Sequence, residues 1–451
     1  METQTILNKN TSTNVTERIS GSEAIVRCLI EEEVKIIYGY PGGAIMPVYD
    51  ELYKYQDKIH HVLTRHEQGA THSAQGFARI SGKVGVAIAT SGPGATNLIT
   101  GIADAQIDST PMVCITGQVP SHLLGSDAFQ ETDIIGISMP VTKWNYQITK
   151  ASEIPEVFAK AFYIAKSGRP GPVLIDITKD AQFELFDYKY SKCKGIRSYN
   201  PLPTISNSSI DNAVELINNA KNPFIVWGQG VILGNAEKEF KDFVEKSGIP
   251  AAWTILGLSA LPTSHELNVG MVGMHGNYGP NILTNKCDLL IAIGMRFDDR
   301  VTGDPKSYAS QAKIIHLDID PAEINKNIKV DVPVIGDCKE SLKLITNKIQ
   351  KKSYDKWISR FDDLMKIEFE KVINSDLNPK KDGITMGESI IAINEFTNGD
   401  AIIVTDVGQH QMVACRYANF IKSKSNITSG TTLYMSKKEK LLFETFTWTS
   451  T

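Results

Sequence analysis

Residues 84–97 read VGVAIATSGPGATN. Val84–Ala89 is a run of small and β-branched residues, suited to a buried strand. Ser91-Gly92-Pro93-Gly94 breaks it, and a helix is expected to follow. A strand that closes in a glycine turn and opens a helix is the unit of a parallel sheet with helices on its faces. Gly94 is the residue expected at positive φ. The helix start behind it offers N–H groups to an anion, although a tight turn alone would explain the same text.

The unit recurs in both directions along the chain. Val34–Tyr38 leads into Gly39-Tyr40-Pro41-Gly42-Gly43, Met112–Thr116 into Gly117-Gln118, and Val173–Ile177 closes this region. Between them Ser22–Val34 reads as a helix, with Ile25, Cys28 and Leu29 on one face and Ser22 as its N-cap. These segments predict a domain over 16–182. A linker of mixed charge follows, about 182–203. The rhythm restarts at Phe224–Trp227 with Gly228-Gln229-Gly230, Leu289–Ile293 with Gly294, and Ile314–Leu317 with Asp318, giving a second domain over 206–348. Residues 349–382 are rich in charge and suit an exposed helical connection. A third unit, 383–451, starts near Gly383, and its strand Ala401–Thr405 enters Asp406-Val407-Gly408. The expected fold class is α/β: three doubly wound parallel-sheet domains, the third incomplete.

Length and composition agree with this. The chain of 451 residues is sized for about three domains. It is 42% hydrophobic and 22% charged, as a globular protein is. Its 47 basic and 51 acidic residues leave a net charge of −4, which argues against nucleic acid as a partner. No apolar run approaches the ~20 residues of a membrane helix. Met1–Ile19 is polar, unlike a secretory signal. The six cysteines are far apart with no CxxC pair, so free thiols in the cytoplasm are expected.

Candidate chemistry lies at the carboxyl ends of the expected strands, where open α/β sheets bind ligands. His66-Glu67 follows the strand Ile59–Thr64 and starts a helix; Glu67 is either a cap on the helix dipole or a partly buried acid available for proton transfer. Gly228–Gly234 is one residue off the dinucleotide fingerprint. Asp318 and Asp320 are placed to accept ribose hydroxyls. Met274-His275-Gly276 lies between these segments. So does Arg296-Phe297-Asp298-Asp299-Arg300, which is either a surface salt-bridge cluster or a pair of arginines for a pyrophosphate. Gly408-Gln409-His410 is either a polar turn or a phosphate contact.

Together, YGYPGGAIMPVYDEL, RHEQGATHSAQGFAR, TSGPGATNLITGIADA, DAFQETD, SGRPGPVLIDITKDAQ, GMHG, RFDDRVTG, HLDIDPAEI and TDVGQHQM resemble the large catalytic subunit of acetolactate synthase, a thiamine-diphosphate enzyme family. The resemblance runs from about Ile19 to about Gly430. It implies thiamine diphosphate, Mg²⁺ and FAD as cofactors, and pyruvate and 2-oxobutyrate as substrates in isoleucine and valine biosynthesis. It further implies a homodimer with active sites shared between chains, and a regulatory small subunit. Glu67 matches the glutamate that bonds the aminopyrimidine, Phe129 and Gln130 match the active-site aromatic and amide, and Pro41, Gly42, Gly408, Gln409 and His410 match thiamine-diphosphate positions. Arg169, Met274, His275, Gly276, Arg296, Asp298, Arg300, Asp318 and Asp337 match positions around the flavin.

After Gly430 the text TTLYMSKKEKLLFETFTWTST leaves the family pattern, and no Gly-Asp-Gly occurs in the chain. In the family that motif and a following Asn hold Mg²⁺. The ending reads as a truncated or frame-shifted third domain, with strand Ala401–Thr405 left without neighbours and no metal ligand assigned. The alternative function is then a catalytically dead, flavin-binding remnant.

Overall fold

The computed structural model describes residues 17–379 and 383–430. Strands β1 Glu17–Ser20, β2 Ile36–Gly39, β3 His60–Leu63, β4 Gly85–Ala89, β5 Met112–Gln118, β6 Trp144–Ile148, β7 Pro172–Thr178 and β8 Leu185–Tyr188 build the first unit. Six of them form one parallel sheet in the order β3-β2-β4-β5-β7-β6, and β1 pairs with β8 in an antiparallel ribbon. The second unit holds β9 Pro223–Trp227, β10 Ala251–Trp253, β11 Asn268–Met271, β12 Leu289–Ile293, β13 Lys313–Asp318 and β14 Val332–Ile335. These are parallel in the order β11-β10-β9-β12-β13-β14.

Strand residues alternate between two buried faces, which is why these segments read as continuous apolar runs. Val86 and Ile88 of β4 enter the core on one face and Ala87 and Ala89 that on the other. In β9, Ile225 and Trp227 face one core and Phe224 and Val226 the opposite one. Both sheets are therefore doubly wound. In each the winding switches sides, between β2 and β4 and between β9 and β12, and such switches open a crevice at the strand carboxyl ends; the first sheet turns back once more at its edge, where β7 lies between β5 and β6.

Several expectations need correcting. The first helix runs Gly21–Glu31, and its N-cap is Ser20, whose hydroxyl accepts from the Glu23 N–H at 3.2 Å. Ser22 lies inside the helix. The expected linker 182–203 contains β8, drawn into structure by pairing with β1. The charged segment after 349 is helical over Asp355–Glu368, but it is not an exposed connection. Its Trp357 and Phe361 are buried in the second unit, and the Trp357 indole donates to the Pro223 carbonyl at 2.8 Å. In the third unit, β15 Ile403–Val404 does have a neighbour: it pairs in parallel with β16 Asn426–Ile427. Helices Met386–Thr397 and Gln409–Tyr417 accompany that pair. The tail from 431 lies outside the described residues. No helix among the described residues is long and apolar enough to cross a membrane.

Candidate functional site

The first crevice collects the loops after four neighbouring strands. Pro41-Gly42 follows β2, Glu67 follows β3, Ser91–Asn97 follows β4, and the loop 119–133 with Phe129 and Gln130 follows β5. Glu67 is buried at the first position of the helix Glu67–Ser81, whose N-cap is His66. Asn97 donates to one of its carboxylate oxygens (Oε2) at 2.9 Å. The other, Oε1, faces Gly94, where a Cβ would come within 3.4 Å of it. A Cβ on Gly42 would overlap the Thr90 side chain, at 2.5 Å.

The positive φ falls on Gly92, not on Gly94. At φ 56° and ψ −117° the Gly92 backbone is in a region open to glycine alone. A Cβ there would also lie 2.7 Å from the Gln130 carbonyl, so glycine lets the two loops meet. Gln130 itself sits at φ 60°, and Phe129 beside it is 88% exposed. Behind Glu67, the Tyr49 hydroxyl, His61 Nε2 and Thr64 Oγ1 are buried without a hydrogen-bond partner among the described residues. Burial, and then the Glu67 charge, push the Tyr49 phenol up. Burial holds His61 below its usual value. A carboxylate fixed by Asn97 thus stands near an unpartnered phenol, and Gly42 and Gly94 let their loops close on Thr90.

The second crevice opens into a cavity of about 950 Å³, at the upper end of the size range of cofactor sites. Its floor is the meeting of β9 and β12. Gly230 N–H donates to the Gly294 carbonyl at 2.9 Å, and a Cβ on Gly230 would sit 2.5 Å from Gly294 Cα. Arg169, Met274, His275, Arg296, Asp298, Arg300, Asp318 and Asp337 all line this cavity. Gly276 does not; it lies behind the wall, against the Met271 carbonyl.

The charges here are of two kinds. Asp298 and Asp337 cap short and long helices, accepting from Arg300 N–H at 3.1 Å and Glu340 N–H at 3.0 Å. Burial raises Asp298 above the usual carboxylate range, against the pull of Arg296. Arg296 makes no ion pair within 4 Å among the described residues, so its charge is available to an anionic ligand. The salt-bridge alternative is left with only Arg300 to Asp299 at 3.9 Å. Arg169 is already engaged, at 2.7 Å from Glu323 and 3.0 Å from Asp320. Burial alone would lower its proton affinity, but the two carboxylates outweigh that and raise it.

Sequence reasoning missed part of the wall. Ser109, Gly168 and Pro170 of the first unit line the cavity, as do Val407, Gln411, Met412, Ser429 and Gly430 of the third. Of the three third-unit residues expected to meet thiamine diphosphate, Gly408 lines this same cavity, and Gln409 and His410 do not. No periodic signal marks such residues, because they meet only through the packing of separate units. Among the described residues no three His, Cys, Asp or Glu side chains converge as a metal site.

Known proteins carry the same two modules. Residues 19–137 match the thiamine pyrophosphate enzyme N-terminal TPP binding domain, and residues 210–345 match the thiamine pyrophosphate enzyme central domain. The chain is 48% identical over 429 residues to a probable acetolactate synthase large subunit of Methanococcus aeolicus, covering 91% of this chain and 71% of that protein. The chain belongs to the acetolactate synthase large-subunit family. The family's Corynebacterium glutamicum member is 48% identical over 92% of this chain and 66% of its own length. The Lactococcus lactis acetolactate synthase large subunit is 43% identical over 91% and 71%. The chain thus spans about two thirds to seven tenths of the length of these acetolactate synthase relatives.

Proposed function

We propose that the chain decarboxylates pyruvate and joins the two-carbon unit to a second pyruvate or to 2-oxobutyrate, as an acetolactate synthase large subunit using thiamine diphosphate, Mg²⁺ and FAD. The observation that carries this reading is the convergence of Glu67, Gly42, Gly94 and Gln130 at the first crevice of a chain from this family. Thiamine diphosphate, when bound, supplies the electron sink that decarboxylation needs. Asn97 holds one oxygen of Glu67 and leaves the other to share a proton with the aminopyrimidine. Gly42 and Gly94 let their loops close on Thr90 beside this carboxylate. Gln130 donates to oxygen charge that develops on the substrate, and Phe129 shields it from water.

FAD fits the second cavity. Arg296 and Arg300 would hold its pyrophosphate and Asp318 its ribose, with Met274 and His275 on the remaining wall. The net reaction is not a redox one, which makes the flavin structural.

A homodimer with shared sites has its own support. Arg79 near the end of the helix Glu67–Ser81 donates to the Thr428 carbonyl at 2.6 Å, and Gln411 donates to the Thr428 hydroxyl at 2.7 Å. The third-unit turn Gly408–His410 therefore lies by the far end of that helix, roughly 18 Å along its axis from Glu67. One chain does not bring Glu67 and His410 together; two chains can. The exposed Phe129, Leu63, Met46 and Tyr53 offer an apolar surface for that contact. A regulatory small subunit and a cytoplasmic location complete the reading, the latter supported by six free cysteines.

The test is Glu67→Gln, with acetolactate formed from pyruvate in the presence of thiamine diphosphate, Mg²⁺ and FAD. The amide keeps a hydrogen bond but cannot share the proton. Turnover is expected to fall by about 10²-fold or more, with flavin binding intact. Near-normal turnover would leave Glu67 as a helix cap.

A further inference from the structure

An ion pair between buried Glu368 and half-buried Arg416 touches both the flavin cavity's wall and the third unit, yet lies outside the cavity. Glu368 ends the helix Asp355–Glu368 and is 5% exposed. Its carboxylate accepts from the Tyr278 N–H at 2.9 Å and from the Asn277 amide at 3.3 and 3.4 Å. Among the described residues its one cationic partner within 4 Å is Arg416, at 3.3 Å. Arg416 belongs to the helix Gln409–Tyr417, whose Gln411 and Met412 line the cavity. Its guanidinium also donates to the carbonyls of His275 (3.4 Å) and Gly276 (3.2 Å). Those carbonyls belong to the loop that turns Met274 and His275 toward the cavity.

The loop is otherwise held from its two sides. Met274 N–H donates to the Arg300 carbonyl at 2.7 Å, and Asn281 bonds both the N–H and the carbonyl of Gly273 at 2.8 Å. The Arg416 fork is the tie that links this loop to the third unit. A planar guanidinium can meet a carboxylate and two carbonyls at once, which an ammonium cannot do in the same geometry.

We propose that the Glu368–Arg416 pair is a joint between the cavity loop Met274–Gly276 and the helix Gln409–Tyr417. Arg416 is then a positioning residue for flavin binding and touches no flavin itself. This rests on the flavin reading of the cavity. Through the same joint, the wall that holds the flavin and the turn Gly408–His410 keep one relative orientation.

The experiment uses the full chain titrated with FAD, followed by flavin fluorescence and by the visible circular dichroism of the bound flavin. Arg416→Lys is expected to bind FAD about five- to twenty-fold more weakly, with an altered dichroic band at saturation, and Glu368→Gln to do the same. Ile25→Ala, a variant in the separate core of the first unit, lowers the melting temperature but keeps wild-type affinity and band shape. If Arg416→Lys matches wild type within two-fold and with the same band, the joint is overturned. Equal loss of affinity in Ile25→Ala overturns it as well, because general destabilisation then suffices. Failure of the wild-type chain to bind FAD would instead refute the flavin reading. Where Arg416→Lys does not fold, Glu368→Gln decides by the same criteria.

Discussion

Asp176, in the middle of β7, is fully buried and has no ion-pair partner among the described residues. It accepts from the Thr116 hydroxyl at 2.7 Å and from the amides of Gln147 and Gln118 at 2.9 and 3.1 Å. Gln118 passes the constraint on, donating to the Thr132 carbonyl at 2.9 Å in the loop that bears Phe129 and Gln130. Burial pushes the Asp176 carboxyl up to about 6, against those three hydrogen bonds. A folded pKa above the unfolded value means that folding favours the protonated acid. The stabilisation is fully present below about pH 4 and is lost as pH rises through 6. At about 1.4 kcal/mol per unit this is roughly 3 kcal/mol. Urea midpoints of wild type and Asp176→Asn, measured from pH 4 to 7, should diverge accordingly. Wild type is expected to lose stability relative to the variant as pH rises, and parallel curves would contradict this.

Among elements, the helix Asp355–Glu368 departs furthest from its sequence reading. Its charge suggested an exposed connection, yet one stripe is anchored. Trp357 is 2% exposed and its ring meets Phe361 at 5.3 Å edge to face, while Arg360 reaches over the same ring at 5.1 Å. Such a stripe needs only two large residues a turn apart, so overall charge hides it. Trp357→Ala should cost about 3–5 kcal/mol, through the cavity it leaves and the unpaired Pro223 carbonyl. Lys356→Ala, on the solvent side, should stay within about 0.5 kcal/mol. Chemical denaturation of the two variants separates these outcomes; equal effects would mean that the helix does not dock.

At the scale of the whole molecule, the large cavity belongs to no single unit. Arg169 of the first unit reaches Glu323 and Asp320 of the second, and its Nε donates to Ser109 at 2.8 Å. Ser429 and Gly430 of the third unit lie across the same opening and bond to the first unit through Asp104 and Asp108. Removing the Arg169 charge leaves the carboxylates of Glu323 and Asp320 with Lys326, 3.1 Å from Glu323, as their remaining cation among the described residues, and their uncompensated charge beside the opening would repel a pyrophosphate. Arg169→Ala is therefore expected to weaken FAD binding about tenfold or more and to lower the melting temperature. Fluorescence titration and a thermal scan of the same sample check both. Unchanged affinity would confine flavin recognition to the second unit.

The sequence by itself determined the α/β class, because apolar runs, glycine turns and amphipathic helices are local patterns that need no partner to be read. It also carried the family, through long motifs such as RFDDRVTG and RHEQGATHSAQGFAR. It gave Glu67 and Arg296 as residues worth attention, each with a bland alternative, but not their surroundings. Short or edge strands escaped it: β6, with Asn145 and Gln147 among its residues, and β8, which is a strand only because β1 lies beside it. Only the tertiary structure decided the strand orders, since those follow from which faces can be buried together across long stretches of chain. Those orders place the switches between β2 and β4 and between β9 and β12, and through them bring Gly42, Glu67, Gly92 and Gln130 to one crevice and Gly230 against Gly294 in the other. The packing of three units, again a matter of burial between distant segments, closed the cavity around Arg169 and Gly430 and set Gly408 by the far end of the helix from Glu67.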